Sequence, residues 1–399
     1  LRDSGRFGTT AEDVRNIVRD DIARITKDWP KKRILIYAHG GLVPEQTAIQ
    51  RVADYRESML AKQIYPLCFV WKSDFWSTIG NILRDVGRQR SEGVFQRAKD
   101  LLLDRFDDTL EPIARAIGGK ALWDEMKENA LLATTAVMRG PGGNLQEAGG
   151  AALVARLLDD WTRHDPSVEL HMAGHSAGSI LLAPMLQLLT GHGQIVGGPA
   201  HGMLGLGNKI ASVNLWAPAI TMEMFLMTYA PAIESKAVDR ACLFTLSDKA
   251  ENDDHCANVY HKSLLYLVAH ALEQQPRSWI EKRLSQGTPI AGMARFIEAK
   301  NPEDQAFGFE RVHALLKAQR LDWVQSPTSG KPEGSPDAAN ATSHGGFDDD
   351  RATLQASVAR ILGQRSGAVQ FDIHRSEAGL DDRRNAMQRA VYPDYERID

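Results

Sequence analysis

Apolar residues along this chain gather into short unbroken runs, separated by longer stretches in which they recur every three or four positions. Arg33 to Ala38, Pro66 to Trp71 and Ala241 to Leu246 are almost wholly apolar and of strand length; Val168 to Met172, Ile210 to Trp216 and Leu321 to Gln325 have the same length with polar residues interspersed. Runs of this kind predict parallel strands buried on both faces. Pro44 to about Gln63 is different: Ile49, Val52, Tyr55, Met59 and Leu60 fall at helical spacing, and proline suits a first helical turn. Gln146 to Arg163, Ile180 to Leu189, Ile220 to Tyr229, His261 to Leu272 and Phe309 to Gln319 also read as helices, and Gly191 to Gly207 as a glycine-rich loop. Asp348 is placed to cap a last helix through Ile361. Strands alternating with helices predict the α/β class, with a doubly wound, mostly parallel sheet covered on both faces.

Three stretches depart from the alternation within what reads as a single domain over residues 1–399. Ser77 to Met138 is helical in pattern, too long for one crossover, and closed by Pro141, Gly142 and Gly143. It reads as a helical insertion, 77–141, where a lid would sit. Its mixture of apolar (Ile82, Phe95, Leu101) and charged (Arg88, Arg97) positions suits a packed subdomain or a partner interface equally. Residues 326–342 are rich in Ser, Gly, Pro, Ala and Asn, a composition expected of a flexible loop that buries little surface. Residues 371–399 form a highly charged C-terminal extension.

Composition narrows the class. Hydrophobic residues make up 43% and charged residues 25% of the 399, which is ordinary for a globular protein. A net charge of −4 and a pI near 6.3 leave no basic footprint for nucleic acid. No apolar run approaches the roughly 18 residues of a transmembrane helix; Ile180 to Leu189 is interrupted by Pro184 and Gln187 and suits a buried helix. The start carries no charged-then-apolar leader, and Cys68 and Cys242, two of the three cysteines, lie inside apolar runs. Reduced core thiols and a cytoplasmic location are the expectation. The chain begins at Leu1, which also suits a processed start or a protein with a further domain upstream.

Candidate chemistry centres on Gly174-His175-Ser176-Ala177-Gly178, a G-x-S-x-G motif directly after a strand pattern and directly before a helical one. That setting is what a nucleophile elbow needs: a turn so tight that the residues two before and two after the serine must be nearly free of side chain. A serine hydroxyl is a weak nucleophile at neutral pH, so Ser176 needs a base, a group that fixes the base's tautomer, and donors for a developing oxyanion. His39-Gly40-Gly41 follows the first strand. The N–H of Gly41, with that of Ala177 at the start of the next helix, is the expected oxyanion hole; His39 reads as a brace for this loop.

Among 12 histidines, His344 stands out: it follows a polar loop, is flanked by Ser343 and Gly345, and precedes the last helix. It is the expected base, with His255 next. The acid is expected just after the strand Ala241 to Leu246, where Asp248 ranks first and Asp253 and Asp254 follow. Carboxylates buried together would raise one another's pKa, so most of this acidic loop must be exposed. Trp71, Phe75, Trp216 and Met222 lie at the carboxyl ends of strands or just beyond them, and suit either a substrate pocket or the core. No metal-ligand spacing occurs among the cysteines and histidines.

Taken in order, His39-Gly40-Gly41, the elbow, a carboxylate after a strand, and a late histidine resemble the serine-nucleophile α/β-hydrolase superfamily. Within it the chain looks like a poorly characterised bacterial group. His39-Gly40, Trp71-Lys72-Ser73, His175-Ser176-Ala177-Gly178, Ala217-Pro218-Ala219 and Ser247-Asp248-Lys249-Ala250 stand as counterparts of its motifs. The group has Pro at Lys72, Met at Ala177 and Asp at Ala219. The resemblance implies an esterase or lipase-like activity on a small-molecule or lipid ester, through an acyl-enzyme on Ser176. His344 would be the base and Asp248 its orienting acid, with no cofactor. The competing expectation is a non-catalytic interaction or regulatory module on the same scaffold, part of a larger protein.

Overall fold

The computed structural model describes residues 8–41, 45–71, 118–139, 145–254, 260–274, 287–301, 304–305, 308–364, 367 and 369–371. Six of the apolar runs become strands of one sheet: β1 (Lys32–Ala38), β2 (Ile64–Phe69), β3 (Val168–His175), β4 (Ser212–Trp216), β5 (Ala241–Leu246) and β6 (Leu321–Ser326). Their order is β6-β5-β4-β3-β1-β2, and every pairing is parallel. β4 and β5 are buried at every position, as expected of central parallel strands covered on both faces, and Ser212, Asn214 and Thr245 are buried with them. The chain steps outward from β1 to β2, crosses back to β3, and then steps outward on the other side. The reversal lies between β1 and β3, and in sheets of this kind a crevice opens there, beyond the carboxyl ends of the strands.

Helices flank the sheet, giving the α/β class. After a helical N-terminal stretch, α1 (Ala11–Asn16) continued by Ile17–Asp21 and Ile22–Thr26, the chain forms α2 (Glu45–Ala61), α3 (Lys120–Thr135), α4 (Gly150–His164), α5 (Gly178–Thr190), α6 (Met222–Glu234), α7 (Asp248–Asp253), α8 (Phe309–Lys317) and α9 (Arg351–Ile361). Helices α2 and α9 cover one face. There Val52, Tyr55 and Leu354 close over Leu35, Tyr37 and Trp216 around an apolar cavity of about 30 Å³. On the other face α5 packs against α3, α4 and α6, and all 13 of its residues are buried. No helix among the described residues is long and apolar enough to cross a membrane.

Several local expectations change. The helix expected from Gln146 starts later, at Gly150, because Leu145–Glu147 pairs antiparallel with Val137–Arg139. A Cβ at Gly149 would lie 2.4 Å from the Ala133 carbonyl oxygen, so the chain turns where only glycine fits. Gly191 to Gly207 holds a hairpin, His192–Gln194 with Leu204–Leu206. The last helix is capped by Asp350, whose carboxylate accepts from Ala352 N at 3.2 Å and Thr353 N at 3.0 Å; Asp348 is used elsewhere.

Residues 326–342 bury more than their composition suggests. Ser326 Oγ donates to the Ala341 carbonyl at 2.6 Å, Thr328 N to the Ala339 carbonyl at 2.7 Å, and Ala338, Ala339 and Ala341 are buried. Small side chains let these two backbone segments approach closely enough to bond. Residues 77–117 of the expected insertion, and with them the core of the lid expectation, lie outside the described residues. So do Pro44, Lys72, Ser73, Phe75, 140–144, His255, Cys256 and 372–399.

Candidate active site

Ser176 sits at the turn from β3 to α5 with φ at +51°. A non-glycine residue in that region carries strain of order 1–3 kcal/mol and persists only where its surroundings over-determine it. Here they do. Ser176 N donates to the Trp216 carbonyl at 2.9 Å, and its own carbonyl accepts from Ser179 Oγ at 2.6 Å and Ala219 N at 3.0 Å. The flanking glycines are steric necessities. A Cβ at Gly178 would lie 2.1 Å from the Ala38 carbonyl oxygen, and one at Gly174 would press on Leu182 at 3.1 Å. The motif therefore folds as its spacing requires: the first turn of α5 packs directly on the end of β1.

That packing brings the loop after β1 to the serine. A Cβ at Gly40 would stand 3.1 Å from both Ser176 Cβ and His175 Nδ1. His39 braces the loop: its Nδ1–H donates to the Gly40 carbonyl at 2.7 Å, and its Nε2 accepts from Trp71 N at 3.2 Å. Burial holds its pKa below the ordinary value, so it is neutral with both ring nitrogens engaged. Trp71, half-buried, is tied to the same loop through Nε1 and the His39 carbonyl at 3.0 Å. Among the described residues no acceptor takes the N–H of Ala177.

His344 comes to Ser176 from the far end of the chain. It opens a short 3-10 turn, His344–Gly346, and its Nε2 lies 2.8 Å from Ser176 Oγ. Burial first, and then the neighbouring His175 imidazole, push its pKa well below the ordinary histidine range. The neutral ring then has Nε2 free to accept the serine proton and Nδ1 protonated. Nδ1 is buried and has no hydrogen-bond partner among the described residues. Ser176 and His344 are only 2% and 1% exposed.

The acidic loop after β5 divides its carboxylates. Asp248, exposed in the first turn of α7, accepts from the Tyr266 hydroxyl at 2.8 Å, and the structure does not bring it to His344. Asp254, just beyond the end of α7, accepts from the backbone N of His344 at 2.8 Å. Helix α7 separates the two: the strand end delivers Asp248 at its start, while the approach to His344 is from its finish. Glu251, between them, is buried, and burial pushes its pKa up to about 8, with Asp254 and Asp248 adding to the rise. Ser263 Oγ donates to its carboxyl.

The remaining candidates are core side chains. Trp216, on the α2/α9 face, donates from Nε1 to Ser357 Oγ at 2.9 Å, and Met222 is buried at the start of α6. A second group beside the serine was not legible in the sequence. His175, the variable residue of the elbow, is 1% exposed and donates from Nε2 to the His344 carbonyl at 3.0 Å. Asp348, also 1% exposed, lies 3.7 Å from His175 Nδ1 and pairs with Arg51 of α2, which also holds Asp349 at 2.8 Å. No spacing rule links positions 51, 175 and 348; only the packing of α2 against the segment before α9 does. Among the described residues no cluster of three or more metal-ligating side chains occurs. No family model, no curated protein and no solved structure matches the chain.

Proposed function

We infer that the protein is a serine hydrolase of the α/β-hydrolase type, cleaving carboxylic esters through an acyl-enzyme on Ser176. The observation that carries this reading is the 2.8 Å contact between Ser176 Oγ and His344 Nε2, made at a strained strand-to-helix turn. In that geometry His344 takes the serine proton as Oγ bonds to the ester carbonyl carbon. It then returns the proton to the departing alkoxide as the C–O bond breaks. Water, deprotonated by the same imidazole, adds to the acyl carbon and releases the acid and the free serine. The N–H groups of Ala177 and Gly41 are the donors for the oxyanion. Asp254, bonded to the His344 backbone N–H, positions the base, while Nδ1 of the imidazole has no hydrogen-bond partner among the described residues. The substrate is a small-molecule or lipid ester.

Labelling with a fluorophosphonate probe, beside Ser176→Ala and His344→Ala, tests this. Covalent labelling of the wild type that both substitutions abolish supports the hydrolase, and a series of short and long acyl esters then defines the substrate. A second reading, a non-catalytic module on the same scaffold, is favoured by the near-complete burial of Ser176 and His344 and by the unpartnered His344 Nδ1. A folded wild-type protein that takes no label, with or without detergent micelles, selects that reading.

A further inference from the structure

We propose that His175 is a positioning residue of this site: its Nε2–H, bonded to the His344 carbonyl, sets where the His344 imidazole stands over Ser176. The proposal deepens the hydrolase reading and rests on it. Three observations carry it. First, the backbone of His344 is held at both polar atoms by side chains from other segments, its N by Asp254 at 2.8 Å and its carbonyl by His175 at 3.0 Å. With N and C=O fixed, only the side-chain torsions remain to aim Nε2. Second, the two imidazoles lie side by side, centroids 5.5 Å apart and planes inclined by 31°, so one ring limits the swing of the other. Third, the pocket is shaped for the His175 ring. A Cβ at Gly40 would come within 3.1 Å of its Nδ1, so the glycine that lets the β1 loop approach the serine also makes room for this imidazole.

The same contacts fix the ring's tautomer. Donation to a carbonyl requires the proton on Nε2. Nδ1 is then a bare lone pair, buried without a hydrogen-bond partner among the described residues, with the Asp348 carboxylate at 3.7 Å. That carboxylate would favour an imidazolium, but Arg51 already pairs with it. Burial, with Arg51 and His39 acting in the same direction against the backbone hydrogen bond, brings the His175 pKa down to about 4. Neutral and turned to the carbonyl, His175 does not reach for the serine proton; it holds the residue that does.

His175→Leu keeps bulk and removes the donor, whereas His175→Gln places an amide N–H near the position of Nε2. The expected result is a rate of fluorophosphonate labelling about 10- to 100-fold lower for His175→Leu, the scale of a small misplacement of a catalytic group. His175→Gln should return to within about threefold of wild type. A merely packing role would leave the two variants alike, so equal rates, whether both normal or both slow, overturn the proposal. Nitrogen-15 spectra of the histidine rings read the tautomer without any activity: Nε2 protonated supports the proposal, and Nδ1 protonated overturns it. A wild type that takes no label defeats the hydrolase reading, while the tautomer still decides the role of His175.

Discussion

Asp254 reaches across 90 positions of sequence to accept the backbone N–H of His344 at 2.8 Å. Asp248, favoured by the motif, instead accepts the Tyr266 hydroxyl. A carboxylate on the base's own backbone N–H fixes where the imidazole stands; one exposed at the other end of α7 does not. Asp254→Ala is therefore expected to lower the fluorophosphonate labelling rate of Ser176 by roughly 10- to 100-fold, the scale of a small misplacement of a catalytic group. Asp248→Ala should change it by no more than about threefold, as for an exposed substitution. Labelling kinetics of the two variants side by side decide between them, and a slow Asp248→Ala with a normal Asp254→Ala reverses the assignment.

Glu251 makes stability depend on pH. Its folded pKa is raised to about 8 from an ordinary 4.5. Between those values the unfolded chain has lost the proton and the folded protein still holds it. The folded state therefore binds more protons, and stability falls as pH rises through this window, levelling off above about 8. Glu251→Gln abolishes the titration while keeping the shape. Urea unfolding at pH 5, 7 and 9 should show the variant gaining on wild type at each step; a constant difference would mean that Glu251 is already ionised in the folded protein.

The ion pair between Arg51 and Asp348 joins α2 to the segment that carries His344. Asp348 is 1% exposed and Arg51 side-chain exposure is 24%. Removing the partner of a buried charge costs about 3–5 kcal/mol, an upper figure here because solvent reaches the arginine. Arg51→Ala is expected to lower the unfolding free energy substantially, and adding Asp348→Asn should recover part of the loss. Denaturant titration of the single and double variants checks this; additive losses would show that the pair is not coupled.

The elbow glycines should separate stability from reactivity. An added methyl at Gly178 meets the Ala38 backbone at 2.1 Å, which no rotamer relieves, so Gly178→Ala is expected to cost at least about 1–3 kcal/mol. At Gly40 the nearest atoms are His175 Nδ1 and Ser176 Cβ at 3.1 Å, so a shift of only a few tenths of an ångström is needed to admit the methyl. Gly40→Ala should cost less than about 1 kcal/mol yet slow labelling, because it presses on Ser176 and His175 together. Melting temperatures and labelling rates measured on both variants test the contrast.

The strands were legible from their length and apolar content between helical stretches: Ala241 to Leu246 matches β5 residue for residue. The meeting of Ser176 and His344 was legible because an elbow fixes one partner locally and a polar turn after the last strand exposes the other. What the chain did not disclose is what depends on packing between distant segments. Asp248 and Asp254 belong to one acidic stretch, and only the length and direction of α7 decide which faces His344. Asp348 resembled a helix cap, but Asp350 stands nearer the helix start, leaving Asp348 for Arg51. His175 occupies the variable position of its motif, and its partner is a backbone carbonyl, which every residue has, so no pattern points to the contact. Trp216 and Met222 sit near strand ends as a pocket lining would, yet both are buried in the core.

Helix α5 has no side toward water at any of its 13 positions. A helix covered on every side opens only at the expense of the helices packed round it, and its few polar side chains, Ser179, Gln187 and Thr190, are themselves hydrogen-bonded. Its amide protons should be among the last in the molecule to exchange with solvent. The strained serine therefore sits at the tip of a rod expected to open slowly, and breathing that admits a substrate is expected from the loops around Ser176 rather than from the element that carries it.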